Sequence, residues 1–192
     1  STVTLLNKKT GKKETTVSDK DGKFHFMLNA STDYTVSAEK TGYFADNKDI
    51  STMGKSEDIF VKLELDQIEI DKPIVLKNIY YDFDKANIRP DASIELDKLV
   101  KILKDNPSIK IELSSHTDCR GTDAYNQRLS QRRAESAVSY IIDRGISKDR
   151  ITAKGYGEKM LVVKCDPCES CNEEQHQLNR RTEFKVVGFK ND

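Results

Sequence analysis

The chain has no apolar run approaching the ~20 residues that a membrane-spanning helix needs, so none of its 192 residues reads as a transmembrane segment. It also lacks a surplus of charge of either sign. Lysine plus arginine and aspartate plus glutamate number 32 each. Nucleic-acid affinity rests on excess positive charge, so a nucleic-acid partner is not expected. No signal peptide opens the sequence. Ser1 stands inside an expected strand, so the chain reads as a fragment of a longer precursor. An export signal or lipid anchor would then lie upstream, and attachment to a membrane is expected only through such an anchor. A catalytic constellation is missing too. Ser115 and His116 are adjacent, and neighbours on a strand point to opposite faces. That is not nucleophile–base geometry, and His116 is expected to be a structural hydrogen-bonding residue. There is no paired-carboxylate arrangement. The expectation is a protein that is not an enzyme and uses no cofactor.

What is present is a strongly solvated globular composition, 33% charged and 36% hydrophobic. The length suits one large domain or two small ones. Of the four cysteines, Cys165, Cys168 and Cys171 crowd into a single short segment, and Cys119 stands apart. That pattern fits an oxidising compartment or a metal site, and composition does not choose.

Residues 1–65 read as all-β. Val3–Leu6 and Thr15–Val17 are short strands, and Asn7–Gly11 is a polar turn. Asp21-Gly22 is a hairpin-type turn signal. Phe24, Phe26 and Leu28 alternate with polar residues, as do Tyr34, Val36 and Ala38, and Ile59, Val61, Leu63 and Leu65. Strands and turns at this spacing predict a small β-sandwich. Asp19-Lys20-Asp21-Gly22 resembles the start of a calcium loop, but no glutamate follows at the required place, so it reads as a turn. Residues 66–75 read as a linker, broken at Asp71-Lys72-Pro73.

From 76 to 190 the period changes. Ile79–Phe83 is an expected strand. Leu96, Leu99, Val100 and Leu103 mark a helix over Pro90–Lys104, which Asn106-Pro107 ends. Ile109, Ile111 and Leu113 alternate as a strand. A second helix runs from about Asp123 to Arg144, with Ala134, Ala137, Val138 and Ile141 as its apolar stripe and Gly145 at its C-terminal end. Arg150–Ala153 and Glu183–Val187 are the remaining strands. Strands alternating with helices predict an α/β sheet under two helices, so the chain as a whole is α+β in class.

The densest polar cluster, Ser115 to Asp123, lies where the strand ending at Leu113 hands over to the second helix. Strand ends facing helix starts are common ligand positions. Arg133 follows Asp118 by fifteen residues. At ~100° per residue Asn126 and Arg133 are nearly eclipsed on one polar edge, away from the apolar stripe. A carboxylate and a guanidinium placed together can clamp a zwitterion, the first taking an ammonium and the second a carboxylate. Equally, Asp118 and Arg133 can pair with each other or with solvent.

The blocks His116-Thr117-Asp118-x-x-Gly121 and Tyr125-Asn126-x-x-Leu129-Ser130-x-x-Arg133-Ala134 resemble the signature of OmpA-like domains, the family of OmpA C-terminal domains, Pal lipoproteins and MotB-type stator proteins. Tyr81-Asp82-Phe83-Asp84-Lys85, Gly155-Tyr156-Gly157-Glu158 and Asn179-Arg180-Arg181-Thr182-Glu183 resemble three further blocks, in order, across residues 75–188. The resemblance implies a βαβαβ mixed sheet with helices on one side. It implies noncovalent binding of peptidoglycan, with Asp118 taking the amine of a diaminopimelate stem peptide and Arg133 its carboxylate. Phe83 and Asp84 match the opening loop of the same pocket. Thr117, Asn126 and Leu129 match further pocket or support positions. Arg181 matches a basic group near the site or a strand-end support. Cys119 stands at a variable position and is not expected to touch ligand.

Cys165-x-x-Cys168-x-x-Cys171 with His176 offers a Cys3His zinc set, although two-residue spacings on both sides of Cys168 are cramped for one tetrahedral ion. Envelope members of the family carry a disulfide in this loop. The resemblance therefore implies a Cys165–Cys171 bridge, leaves Cys119 and Cys168 as a second pair, and implies no metal. Four cysteines allow three connectivities.

Thr2–Gly42 resembles the carboxypeptidase-regulatory-like, prealbumin-type β-sandwich through Val3-Thr4-Leu5, Thr10-Gly11, Thr16 to Phe24 and Tyr34 to Tyr43. That family opens with a strand earlier than Ser1, and the module implies a structural or interaction role without peptidase activity. The two modules together resemble Bacteroidetes envelope lipoproteins, including peptidoglycan-binding components of the type IX secretion machinery. The implied partners are peptidoglycan and other envelope or secretion-complex proteins, and the implied place is the periplasm, tethered to the outer membrane.

Overall fold

The computed structural model describes residues 1–76, 79, 88 and 90–190. It divides into two compact units, Ser1–Ile68 and Glu69–Asp192.

In the first unit, β1 (Thr2–Asn7), β2 (Lys13–Val17), β3 (Asp33–Glu39) and β4 (Asp46–Ser51) form an antiparallel sheet in the order β2-β1-β3-β4. The period-2 pattern puts Val3, Leu5, Tyr34, Val36 and Ala38 on one face, and these make the core. Phe24, Phe26, Leu28, Val61, Leu63 and Leu65 pack over that face. They come from segments that the sequence reads as strands but that pair with no strand among the described residues. Alternation records which side is buried, and it is silent about backbone partners. Asp19 closes its turn by accepting from the Asp21 and Lys23 amides at Oδ1, 2.9 and 2.8 Å, so it is a turn residue. Part of the expected linker is paired: the Ile68 amide donates to Gly42 and the Phe44 amide to Asp66, both at 2.8 Å.

In the second unit, β5 (Ile74–Leu76), β6 (Ile109–His116), β7 (Ile151–Gly157) and β8 (Thr182–Phe189) form a sheet in the order β5-β8-β6-β7. Only β6 and β7 run parallel, as a strand–helix–strand crossover requires. The crossover helix is α2 (Asp123–Ile142), which packs on β6 and β7. Helix α1 (Pro90–Asp105) packs on α2, burying Ala92, Leu96, Leu99, Val100 and Leu103. A short α3 (Glu173–Asn179) leads into β8. Of the expected strand Ile79–Phe83, Ile79 is buried and the rest lies outside the described residues.

The buried Arg150 ties α1 to β6. Its guanidinium donates to the carbonyls of Leu103 (2.8 Å), Asn106 (2.7 Å) and Ile109 (3.1 Å). The Leu103 carbonyl is one of those that the end of a helix leaves without internal partners. Desolvation holds this guanidinium below its usual range.

Helix α2 lies so close to β7 at Gly155 that a Cβ there would sit 2.3 Å from the Gln131 amide nitrogen and 2.6 Å from its Cα. Backbone cannot yield as a side chain can. Gly155→Ala is expected to destabilise the second unit by about 1–3 kcal/mol or more. Gly188→Ala, where nothing lies within 4 Å, is expected to change it by less than ~0.5 kcal/mol. Urea unfolding of the two variants checks this, and equal midpoints would refute the close-packing account.

Candidate ligand-binding site

Strand β6 is held on both sides at its C-terminal end. The His116 amide donates to the Arg181 carbonyl and the Thr117 amide to the Gly157 carbonyl, each at 2.9 Å. His116 lies within the sheet: its Nε2 is 3.1 Å from Glu183 Oε1 and its ring stacks on Tyr156 with centroids 5.3 Å apart. That is the structural role expected of it. Glu183 also accepts from Arg181 Nε at 3.0 Å. Burial pushes the Glu183 carboxyl up, but His116 and Arg181 more than offset it, and the group lies below its ordinary range.

Beyond Thr117 the chain turns through Asp118, Cys119 and Arg120 into α2. Asp118 is only 5% exposed. Its Oδ1 accepts the Arg120 amide at 3.0 Å. Its Oδ2 accepts from Arg120 Nε (3.1 Å), Arg120 Nη2 (2.7 Å) and Arg180 Nη1 (2.5 Å). Both guanidiniums also reach Glu173: Arg120 Nη1 donates to Oε2 at 2.9 Å, and Arg180 Nη2 to Oε1 at 2.5 Å. Two carboxylates and two guanidiniums thus close a ring of no net formal charge. Desolvation raises the Asp118 carboxyl, yet the hydrogen bonds from Arg120 and Arg180 prevail and hold it below the usual range.

Thr122 caps α2, its side chain accepting the Tyr125 amide, as residues of this type do. Gly121 takes φ +108°, a conformation L side chains rarely adopt. Asn126 Nδ2 lies 3.3 Å from the Asp118 carbonyl and 3.1 Å from that of Arg120, and also donates to Glu158. Desolvation, with the nearby charges of Asp123 and Asp118, pushes the Glu158 carboxyl up. Asn126 and Arg133 are 2% and 8% exposed, whereas the helical wheel puts them on a polar edge. The first half of α2 packs against strand ends and loops that offer polar partners, so its polar residues can be buried. Leu129 is buried on the same helix. Thr117 is buried too, and its Oγ1 has no partner among the described residues. Arg133 is not without one.

Phe83 and Asp84 lie outside the described residues. Arg181, at the entry to β8, donates to Glu183 and, at 3.0 Å, to the Met160 carbonyl. The basic group that reaches Asp118 from this segment is its neighbour Arg180. Sequence reading also overlooked Arg120, Glu173 and Glu158. Arg120 stood inside the densest polar cluster, but Glu173 and Arg180 are joined to it only by folding.

Cys119 bonds to Cys168, and Cys165 to Cys171. The first bridge ties the Asp118 loop to the segment leading into α3. A capping box of Asn172 and Gln175 then starts that helix and sets Glu173 and Arg180 on one side of it.

The OmpA family profile matches residues 80–175, half of the chain. The chain belongs to the OmpA family. Outer membrane protein A of Escherichia coli O157:H7 is 35% identical over 127 residues, covering 62% of this chain and 36% of that protein. A Gloeobacter violaceus protein named Photosystem I P700 chlorophyll a apoprotein A2 is 40% identical over 111 residues, 57% of this chain and 13% of that protein. This OmpA-family chain therefore spans well under half the length of either relative. The crystal structure of the peptidoglycan-associated lipoprotein from Burkholderia pseudomallei superposes with a TM-score of 0.50 at 27% identity, covering 56% of this chain and 87% of that one. No helix among the described residues is long and apolar enough to cross a membrane.

A carboxyl held below its ordinary value stabilises the fold above its unfolded pKa, about 4. That contribution is lost as the pH falls through the folded value. Asp118 and Glu183 share this sign. The OmpA-family unit is expected to lose stability below about pH 4, and Asp118→Asn to lose less over the same interval. Urea midpoints at pH 5 and pH 3 measure it. An unchanged loss in the variant would show that the Asp118 pairing is not responsible.

Proposed function

We propose that the Glu69–Asp192 unit binds peptidoglycan noncovalently through a diaminopimelate-type stem peptide, and so anchors an outer-membrane or secretion complex to the cell wall from the periplasmic side. Asp118 takes the ligand ammonium and Arg133 its carboxylate. Thr117, Asn126 and Leu129 line or support the pocket, with Phe83 and Asp84 from the opening loop. The observation that carries the reading is a buried carboxylate on a loop that Asn126 fastens to α2, two turns before Arg133 on the same face. Membership of the OmpA family and the likeness to a peptidoglycan-associated lipoprotein support it. Arg120 is the more exposed of the two guanidiniums, its side chain 51% exposed against 24% for Arg180. The ammonium displaces Arg120 from Asp118, and Arg120 keeps Glu173. No bond is made or broken. The first unit, with its four-stranded antiparallel sheet, is the interaction module of a carboxypeptidase-regulatory-like kind that meets the envelope complex, of which the type IX secretion machinery is the example we favour.

Each anchor answers one end of a zwitterion. Losing either leaves a desolvated charge, at a cost of ~2–5 kcal/mol, or roughly thirtyfold or more in affinity. Isothermal titration of the chain with soluble stem peptides tests this. Asp118→Ala and Arg133→Ala are each expected to weaken binding by that factor, and so is a lysine-type peptide that lacks the second carboxylate. Equal affinity for the two peptides, or full binding by Asp118→Ala, would overturn the proposal. One observation favours a second reading, a structural or protein-interaction domain that binds no wall: Asp118 is already satisfied by Arg120 and Arg180. On that reading the chain stays in the supernatant when purified sacculi are sedimented. On ours it sediments with them.

A further inference from the structure

The sulfur atoms of Cys119 and Cys165 and a ring nitrogen of His176 lie within 4.8 Å of one another. Cys165 and His176 are buried. His176 Nδ1 has no hydrogen-bond partner among the described residues. Cys168 is bonded to Cys119 and Cys171 to Cys165, so four sulfurs and one imidazole converge from the loop after β6, the 165–171 segment and α3. Two disulfides account for the sulfurs. They do not account for a buried imidazole placed against them.

We propose that the reduced form of this cluster is a zinc site of the Cys3His type, with Cys119, Cys165 and His176 as three ligands and Cys168 or Cys171 as the fourth. Zinc holds sulfur at ~2.3 Å and nitrogen at ~2.0–2.1 Å, which puts the donors of a tetrahedron roughly 3.5–3.8 Å apart. The three donors are within about 1 Å of that spacing. The cramped spacing that tells against Cys165, Cys168 and Cys171 holding one ion together does not apply. Cys119 arrives from across the fold, and the segment then gives two ligands instead of three. The site is independent of wall binding.

Opening the cluster needs a reductant, a dithiol. Each dithiol passes two electrons and two protons to one protein disulfide and is itself oxidised to a disulfide. Zinc then takes three thiolates and the neutral imidazole. Three thiol protons leave to solvent, the fourth thiol keeps its own, and the site carries a net charge of minus one. In either redox state Cys119 stays fastened to the 165–171 segment, by sulfur or by metal, and with it the loop that bears Asp118.

The test uses the whole chain, reduced with a phosphine, freed of reductant without air and titrated with cobalt(II). One equivalent is expected to bind, with a thiolate-to-cobalt charge-transfer band and the intense visible bands of tetrahedral cobalt, and zinc is expected to displace it. The oxidised chain is expected to show neither band. His176→Ala and Cys119→Ser are each expected to weaken zinc binding at least ~10-fold, since loss of a mere supporting group already costs that much. Absence of cobalt uptake by the reduced chain, or parental affinity in both variants, would overturn the proposal. If circular dichroism shows His176→Ala unfolded, His176→Gln and the Cys119→Ser variant decide.

Discussion

A carboxylate taken out of water must be met by positive charge or hydrogen bonds, because an unpaired buried charge costs several kcal/mol. Asp118 is such a carboxylate, and much of the second unit is arranged around meeting it. Arg120 reaches it from two residues on, and Arg180 from sixty-two residues on. Glu173 balances the two guanidiniums. The Thr122 cap and Asn126 hold the loop to α2, and the Cys119–Cys168 bridge holds it to the segment before α3. Each of these would be an ordinary surface feature alone. Together they keep a negative charge buried just beyond the C-terminal end of β6.

How much of this could be read in advance follows from how local each signal is. Helices α1 and α2 and strand β6 announce themselves by the period of their apolar residues, and those residues are the buried ones. Strand β4, Asp-Asn-Lys-Asp-Ile-Ser, has one apolar residue and is a strand only because β3 pairs with it. Strand β5 begins in what reads as a linker and exists through β8. Helix α3 is a single polar stretch between a disulfide loop and a strand. In the opposite direction, Phe24–Leu28 and Ile59–Leu65 alternate as strands should, and they cover the core without strand pairing among the described residues.

The site divides the same way. The contact of Asn126 with the Asp118 carbonyl joins two residues that motif spacing already singles out, because loop and helix are continuous in sequence. The arginine from the last segment is not singled out in that way. Arg180 and Arg181 are adjacent and chemically identical, and only the geometry at the start of β8 sends one to Asp118 and the other to Glu183 and Met160. The wheel also misjudges burial on α2. It sorts residues by polarity, whereas the packing surface above the first half of that helix is itself polar, so Asn126 and Ser130 are buried with their hydrogen bonds made.

The distance in sequence between Asp118 and Arg180 has a consequence for how the chain matures. A ribosome releases Asp118 well before Cys168, Glu173 and Arg180, so during synthesis the carboxylate has only its local partner Arg120 and its loop lacks the Cys119–Cys168 anchor. Only the final segment, docking as β8 against β6, brings the remaining guanidinium and dries the site. Long-range contacts of this kind form late, because the loop between them must first be closed. An unfinished or partly melted chain therefore presents a loose, solvated aspartate, and a preorganised one belongs to the completed fold alone.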